Sequence, residues 1–170
     1  MQIKLGLKIP CYIRAVILSF LLSCCGKSIE QAAESAIGKV KLKDLNDQSI
    51  NLSHYEDKVI FINFWATWCR PCLEEMPSIE RARTILKDQK IEFILASNED
   101  LSRIQNFIAK RGFKLNFVKL ENLEELNIQA LPTTFIFDKE GKLVFSETGY
   151  RQWDDPQNIE MITKIINNHE

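Results

Sequence analysis

The sequence of 170 residues contains only two histidines and five cysteines. Three of the cysteines, Cys11, Cys24 and Cys25, lie near the N-terminus, so the rest of the chain keeps a single cysteine pair. This count excludes the disulfide-dense scaffold of small secreted domains. A zinc site normally needs four ligands, and neither His54 nor His169 stands at ligand spacing. We therefore predict no metal site and interpret both histidines as surface residues.

Basic residues are not in excess either. The chain has 22 Lys and Arg against 23 Asp and Glu, a net charge of −1, which gives no surplus of positive charge to favour nucleic acid as a partner. Internal repeats and low-complexity segments are also missing. Hydrophobic residues make up 45% of the chain, enough for an ordinary packed core in one domain with a short appendage.

The N-terminal apolar run at residues 15–22 is short. Eight residues cannot cross about 30 Å of hydrocarbon as a helix, and a longer span would include Arg14, which is costly in the middle of a membrane. The basic residues Lys4, Lys8 and Arg14 precede the run, and no acidic residue does. This order predicts a secretory signal peptide over residues 1–23 rather than a permanent transmembrane helix.

The end of this signal, Leu21-Leu22-Ser23-Cys24, resembles a bacterial lipobox, in which a small residue precedes a cysteine that becomes acylated. Leu22 departs from the commonest form, which has a smaller residue there. We predict lipid attachment at Cys24, with Cys25 as the alternative acceptor. The other interpretation is that both cysteines are ordinary signal residues. Two or three acyl chains on one cysteine would anchor the protein stably to a membrane.

Residues 24–38 are predicted to form a tether, and residues 39–170 a folded domain with alternating strand and helix patterns. The first half of the domain is predicted to contain a hairpin over 39–52, a strand at 59–65, a helix that ends at about Lys87 and a strand at 91–96. A second helix begins near Glu99 and is capped by Gly112, and a strand at 117–120 and a helical turn at 121–126 follow it. The chain ends with a hairpin over 135–146 and a terminal helix that begins at Asp155-Pro156. This alternation predicts an α/β fold, a three-layer α/β/α sandwich with a mixed sheet.

Two cysteines separated by two residues, Cys69-Arg70-Pro71-Cys72, follow the strand at 59–65 and open a helix. The first sulfur is placed at the helix N-terminus, where free N–H groups and the helix dipole favour a thiolate, the form that attacks disulfides. We therefore predict that Cys69 is the nucleophile and Cys72 the resolving cysteine. Arg70 adds positive charge, and Pro71 stiffens the first turn. A purely structural disulfide is the alternative, although so short a loop stabilises little.

The neighbours of this pair suggest further roles. Trp68 is predicted to form an apolar wall beside the nucleophile and to help dock the substrate. Glu75 lies one helical turn after Cys72 on the same face. If Glu75 is buried, it is a candidate acid–base group for the resolving step. The alternative is an exposed surface charge, which is what we predict for Glu74.

These residues resemble the TlpA/ResA-type branch of the thioredoxin superfamily. The resemblance rests on residues 64–72 (FWATWCRPC), 75–77 (EMP) and 131–135 (LPTTF), and it extends from about Lys39 to the terminal helix. It implies a thioredoxin fold with an N-terminal β-hairpin and attachment to a membrane.

The resemblance also implies roles for three residues. It implies that Pro132 is a cis-proline beside the active-site sulfurs and that the Leu131 backbone pairs with an extended substrate. The alternative is an ordinary trans-proline before an edge strand. Asn63 is a departure, because ordinary thioredoxins carry a buried aspartate there, so that proton route is absent and Glu75 is the expected substitute.

The resemblance implies a reductase of disulfides in exported proteins, including apocytochrome c before haem attachment. Electrons would come from a membrane thiol–disulfide partner, and the domain would lie on the extracytoplasmic side. No cofactor is expected, because the dithiol is itself the redox group. Two other functions remain open. One is a thiol peroxidase of the same fold, against which the paired cysteines argue. The other is a non-catalytic module that binds peptides around Pro132.

Overall fold

The computed structural model describes residues 36–55 and 57–168. The predicted signal peptide, the candidate lipidation sites Cys24 and Cys25, the tether as far as residue 35, and His169 lie outside the described residues. Within the described part of the chain, no helix is both long enough and apolar enough to cross a membrane.

A mixed sheet forms the centre of the domain. Its strands in the described residues are β1 (Leu42–Lys43), β2 (Ser49–Ile50), β3 (Val59–Phe64), β4 (Ile91–Ser97), β5 (Asn116–Leu120), β6 (Thr133–Phe137) and β7 (Leu143–Thr148). They lie in the order β2-β1-β5-β4-β3-β6-β7. The neighbours β3, β4 and β5 are parallel, and all other pairs are antiparallel. The predicted mixed sheet and the parallel first crossover are therefore confirmed.

Strand β3 is buried along its whole length, as its continuous apolar run predicts. It lies between β4 and β6, so both of its edges are hydrogen-bonded. Successive side chains of a strand point to opposite faces, and β3 accordingly supplies two cores. Phe61 belongs to one core, and Ile60 and Ile62 belong to the other. The end of this strand is thus held rigidly where the cysteine motif begins.

Three α-helices are described, α1 (Arg70–Ile85), α2 (Leu101–Arg111) and α3 (Pro156–Asn167). All three contribute buried side chains to the core that contains Phe61. The other core is closed by short 3-10 turns at Ala36–Lys39, Leu52–Tyr55 and Leu123–Leu126. In the described residues, the covering of that second face is therefore made of turns, where the sequence pattern predicted helices on both faces.

Local sequence signals place several element ends correctly. Asp155 caps α3 by accepting a hydrogen bond from the Gln157 N–H at 2.9 Å, and Pro156 is the first helical residue. Gly112 ends α2 with a φ of 69°, a left-handed conformation that side chains rarely adopt. Helix α2 begins at Leu101, slightly later than predicted, and Glu99 precedes it in the loop.

The N-terminal hairpin is confirmed, with shorter strands than predicted. Leu42 pairs with Ile50 across the hairpin, and it also pairs with Leu120 of β5. The Asp44 carboxylate accepts hydrogen bonds from the backbone N–H groups of Asn46 and Gln48, both at 2.8 Å, which closes the turn. The hairpin therefore extends the central sheet beyond β5.

Candidate active site

Cys69 and Cys72 are joined by a disulfide bond at the start of α1. Cys69 is the N-cap residue of the helix, and its Sγ accepts a hydrogen bond from the Cys72 N–H at 3.3 Å. Cys69 is 4% exposed and Cys72 is fully buried, so of the two residues only Cys69 has any solvent-accessible surface. A helix N-terminus stabilises negative charge, which makes this position suited to a thiolate. This geometry is consistent with Cys69 as the nucleophile and Cys72 as the resolving cysteine, which stays a prediction.

The two residues between the cysteines are both exposed. Pro71 lies in the first helical turn, where its missing N–H would have no partner in any case. Arg70 directs its guanidinium Nε to Glu74 Oε1 at 2.8 Å, and its side chain is 89% exposed. An exposed pair of this kind contributes at most about 1 kcal/mol and is screened by solvent. The influence of Arg70 on the nucleophile is accordingly weak.

Trp68 stands immediately before the nucleophile and is 71% exposed. A tryptophan side chain is rarely this exposed to solvent, and its burial in an interface stabilises the complex strongly. Its exposure beside Cys69 leaves a large apolar surface next to the disulfide. This position is consistent with the predicted docking role, which stays a prediction.

Glu75 is fully buried, so the alternative of an exposed surface charge is wrong for this residue. Its neighbour Glu74 is exposed, as predicted. Burial raises the pKa of Glu75 from 4.5 to about 7, against hydrogen bonds from Asn63 and from the Arg151 backbone that favour the anion. A carboxyl group with this pKa exchanges a proton near neutral pH.

Asn63 supplies one of the hydrogen bonds that hold Glu75. Its Nδ2 donates to Glu75 Oε1 at 2.6 Å and to Thr134 Oγ1 at 3.1 Å. Its own Oδ1 is buried without a hydrogen-bond partner. Asn63 lies opposite Thr134 in the pairing of β3 with β6. The sequence indicates only that Asn63 stands where ordinary thioredoxins carry an aspartate, whereas the structure shows that its side chain is hydrogen-bonded directly to Glu75.

The peptide bond between Leu131 and Pro132 is cis, as the family resemblance implies. The proline directly precedes β6, whose first residue Thr133 pairs with Phe64 at the end of β3. The Pro132 carbonyl accepts a hydrogen bond from the Gly149 N–H at 2.8 Å. The cis-proline loop and the cysteine loop therefore lie at the same end of the sheet.

The loop between β7 and α3 is a part of the site that sequence reasoning missed. The Gly149 N–H is hydrogen-bonded to the Pro132 carbonyl. The backbone N–H of Arg151 donates to Glu75 Oε2 at 3.1 Å, and the backbone N–H of Trp153 donates to Ser78 Oγ at 3.0 Å. Trp153 is 1% exposed and packs edge-to-face on Phe61. The only available signal was a tryptophan within a polar segment, which indicates burial but names no partner.

Metal-ligating groups are scattered over the described residues. In the segments 36–55 and 57–168, no three His, Cys, Asp or Glu side chains come together in a way that could hold a metal ion.

A mixed sheet, a cysteine pair at the N-terminus of a helix and a cis-proline loop at the same end define a thiol–disulfide oxidoreductase of the thioredoxin fold. Comparison with known proteins agrees with this class. The family model described as Redoxin matches residues 31–162.

Similar curated proteins narrow the class further. Thiol-disulfide oxidoreductase ResA of Halalkalibacterium halodurans is 35% identical over 127 residues, which are 72% of each chain. ResA of Geobacillus thermodenitrificans is 34% identical over 164 residues, 88% of this chain and 94% of the relative. ResA of Bacillus subtilis is 30% identical over 151 residues, 81% and 84% of the two chains. The chain belongs to the Redoxin family, and within it to the ResA-type thiol–disulfide oxidoreductases.

Solved structures support the fold. A putative thiol:disulfide interchange protein DsbE from Chlorobium tepidum matches with a TM-score of 0.66 at 19% identity, over 75% of this chain and 92% of that one. A putative thiol-disulfide oxidoreductase from Bacteroides vulgatus matches with a TM-score of 0.65 at 22% identity, over 74% and 90% of the two chains. At these identities the likeness concerns the fold alone.

Proposed function

We propose that this oxidoreductase reduces disulfides of exported proteins on the extracytoplasmic side of a membrane. The observation that carries the proposal is the Cys69–Cys72 disulfide at the N-terminus of α1, with the cis-proline loop at the same end of the sheet. In its reduced, dithiol form such a pair holds two electrons that can pass to a substrate disulfide.

The reaction follows from the order of the two sulfurs. In the reduced protein, the Cys69 thiolate attacks one sulfur of the substrate disulfide and the other substrate sulfur leaves as a thiolate. The Cys72 thiolate then attacks Cys69 Sγ, which breaks the mixed disulfide and forms the Cys69–Cys72 bond. Two electrons pass from the protein to the substrate, and the two protons of the dithiol end on the substrate thiols. The direction is that of a reductase.

Glu75 serves the second step as the acid–base group. Cys72 must lose its proton before it can attack, and this sulfur is fully buried away from bulk water. Glu75 lies one helical turn further on, is itself buried, and has a pKa raised by burial to about 7. It can therefore accept the thiol proton at neutral pH and release it in the next cycle.

The substrate docks along the exposed rim of the site. The side chains of Trp68, Arg70 and Pro71 are exposed around the disulfide. In this arrangement the Leu131 backbone, next to Pro132, pairs with an extended substrate segment, and Trp68 covers it. Exported proteins with oxidised cysteine pairs are the substrate class, with the disulfide of apocytochrome c as a specific candidate.

The N-terminal sequence and the family support a location at the cell envelope and a supply of electrons from a membrane protein. Acylation at Cys24, or at Cys25, would hold the domain at the cell envelope. A membrane thiol–disulfide protein would then return electrons to the Cys69–Cys72 disulfide. No cofactor is needed, because the sulfurs carry both electrons.

The test is the reduction potential of the purified protein, measured in dithiothreitol or glutathione buffers. A value near that of thioredoxin, about −270 mV, supports a reductase, and a value near −120 mV makes the protein a disulfide donor. The absence of a reversible couple would overturn the proposal. Lipid labelling of Cys24→Ser and Cys25→Ser variants tests the anchor, since only the variant of the true acceptor loses the label.

A further inference from the structure

Glu99 has a largely buried side chain that the reaction described above does not use. It lies in the loop between β4 and α2, and its side chain is 7% exposed. Glutamate is almost never buried to this degree unless it is paired, because its desolvation is costly. The partners of Glu99 therefore indicate what it does.

Both carboxylate oxygens of Glu99 bind Thr67. Oε2 accepts the Thr67 backbone N–H at 2.6 Å, and Oε1 accepts the Thr67 hydroxyl at 2.8 Å. Ser97 Oγ lies 3.4 Å from Oε2, and Arg103 Nη1 donates to Oε1 at 3.2 Å. Hydrogen bonds to an ionised group are the strong ones, so Thr67 is held from two directions.

Thr67 lies in the loop that presents the nucleophile. This loop leaves β3 with a hydrogen bond from the Trp65 N–H to the Ala96 carbonyl at 3.0 Å, and it ends where the Cys69 N–H donates to the Ala66 carbonyl at 3.0 Å. Glu99 binds the loop between these two points. It thereby connects the segment before the cysteines to the end of β4.

We propose that Glu99 is a positioning residue for thiol–disulfide exchange. It holds the loop so that Cys69 remains the N-cap of α1 when the disulfide is open. In the oxidised protein the covalent bond to Cys72 keeps Cys69 in place. In the reduced protein that bond is gone, and the loop contacts, together with the hydrogen bond from the Leu73 N–H to the Cys69 carbonyl at 3.2 Å, hold Cys69 Sγ near the Cys72 N–H. The inference rests on the proposed function only in that Cys69 is taken as the attacking sulfur.

The direction in which the pKa of the Cys69 thiol changes separates a positioning role of Glu99 from a purely electrostatic one. The negative charge of Glu99 by itself disfavours a nearby thiolate, so removal of the charge alone lowers the pKa of the Cys69 thiol. Loss of the hold on the loop acts in the opposite direction, because the thiolate then loses its place at the helix N-terminus. The two explanations thus predict opposite shifts.

The variant is Glu99→Gln, whose amide has one acceptor oxygen in place of the two that bind the backbone N–H and the hydroxyl of Thr67. The matched control is Asp100→Asn, which removes a negative charge at the next residue. The side chain of Asp100 is exposed and makes no capping hydrogen bond. Arg103→Gln removes only the outer ion pair. Alkylation of Cys69 in the reduced full chain is followed against pH by mass spectrometry of its peptide.

We expect Glu99→Gln to raise the pKa of the Cys69 thiol by about one unit. At a pH well below that pKa, alkylation should therefore be about tenfold slower, because the thiolate fraction is about tenfold lower. Asp100→Asn and Arg103→Gln should stay within about twofold of wild type. An unchanged or lowered pKa in Glu99→Gln would overturn the proposal.

A second pair of variants covers the case in which Glu99→Gln does not fold. Thr67→Val keeps the backbone N–H and the side-chain shape but removes the hydroxyl, and Thr67→Ser keeps the hydroxyl. We expect a smaller rise of the pKa of the Cys69 thiol in Thr67→Val and wild-type behaviour in Thr67→Ser. Equal values in both variants overturn the proposal. The proposed function is judged separately, by the reduction potential of the wild-type protein.

Discussion

The side-chain amide of Asn63 donates a hydrogen bond to Glu75 Oε1 over 2.6 Å, between strand β3 and the helix that carries both cysteines. Both side chains are fully buried. Burial raises the pKa of Glu75 to about 7, and the amide limits the rise because it favours the anion. This pair places an exchangeable proton on the helix that carries both cysteines. The stability of the protein should therefore depend on pH.

The stability of the protein should fall as pH rises through the range set by Glu75. The folded-state pKa of about 7 lies above the ordinary value of 4.5, so the folded protein keeps a proton that the unfolded chain loses. Between these values the unfolded chain ionises while Glu75 in the folded protein stays protonated, so the free energy of unfolding falls by about 3 kcal/mol in total. Relative to wild type, Glu75→Gln should gain this amount in its free energy of unfolding between pH 4.5 and pH 8.

Urea unfolding at a series of pH values measures this difference. The control is Glu74→Gln, which changes an exposed carboxylate on the same helix and should run parallel to wild type. Parallel curves for Glu75→Gln as well would show that Glu75 has no raised pKa.

Replacement of Asn63 by leucine should raise the pKa of Glu75 above about 7. The substitution removes the hydrogen bond that favours the carboxylate and leaves the burial unchanged. Carboxyl carbon chemical shifts of Glu75 against pH report the change. Thr134→Val is the control, because it removes the second partner of Asn63 and leaves the bond to Glu75 intact. A fall in the pKa in Asn63→Leu contradicts the assignment.

Substitution of each cysteine by serine should block a different step of the exchange reaction. Cys72→Ser should accumulate a mixed disulfide between Cys69 and the substrate, because the resolving thiol is missing. Cys69→Ser should form none and lose disulfide reduction by several orders of magnitude. Non-reducing electrophoresis and mass spectrometry distinguish these outcomes. If Cys69→Ser keeps its biological function and its partners, the protein is a binding module and the enzymatic role is wrong.

Trp68→Ala should weaken docking of protein substrates without weakening the fold. The side chain is 71% exposed, so little native packing is lost, and the free energy of unfolding should change by less than about 0.5 kcal/mol. We expect KM for a protein disulfide to rise about tenfold, the equivalent of about 1.4 kcal/mol. Ile85→Ala, at a 57% exposed position near the end of α1, is the matched control. Equal KM values in both variants would exclude Trp68 from the docking surface.

Local sequence signals were sufficient for much of the fold. A continuous apolar run predicted β3, and the strand–cysteine–helix order placed both sulfurs at the start of α1. Asp155 and Gly112 marked helix ends correctly. These signals succeed because each depends on the conformation of a few adjacent residues, which their own side chains and backbone restrict.

The surroundings of Glu75 could not be predicted in the same way. Helical spacing puts Glu75 on the face of Cys72, which suits either a buried or an exposed side chain. Its burial depends on Asn63 from β3 and on the backbone of Arg151, 76 residues later in the chain. Glu99 is a similar case, since its partner Thr67 lies 32 residues before it.

The sequence by itself indicated the class of chemistry, because a cysteine pair at a strand–helix junction favours a thiolate at the first sulfur, and the family resemblance implied the role of the Leu131-Pro132 segment. The tertiary structure decided which ionisable groups serve that chemistry. Whether a carboxyl group is buried, and so whether its proton is available near neutral pH, depends on desolvation and hydrogen bonds from distant segments. No local pattern contains that information.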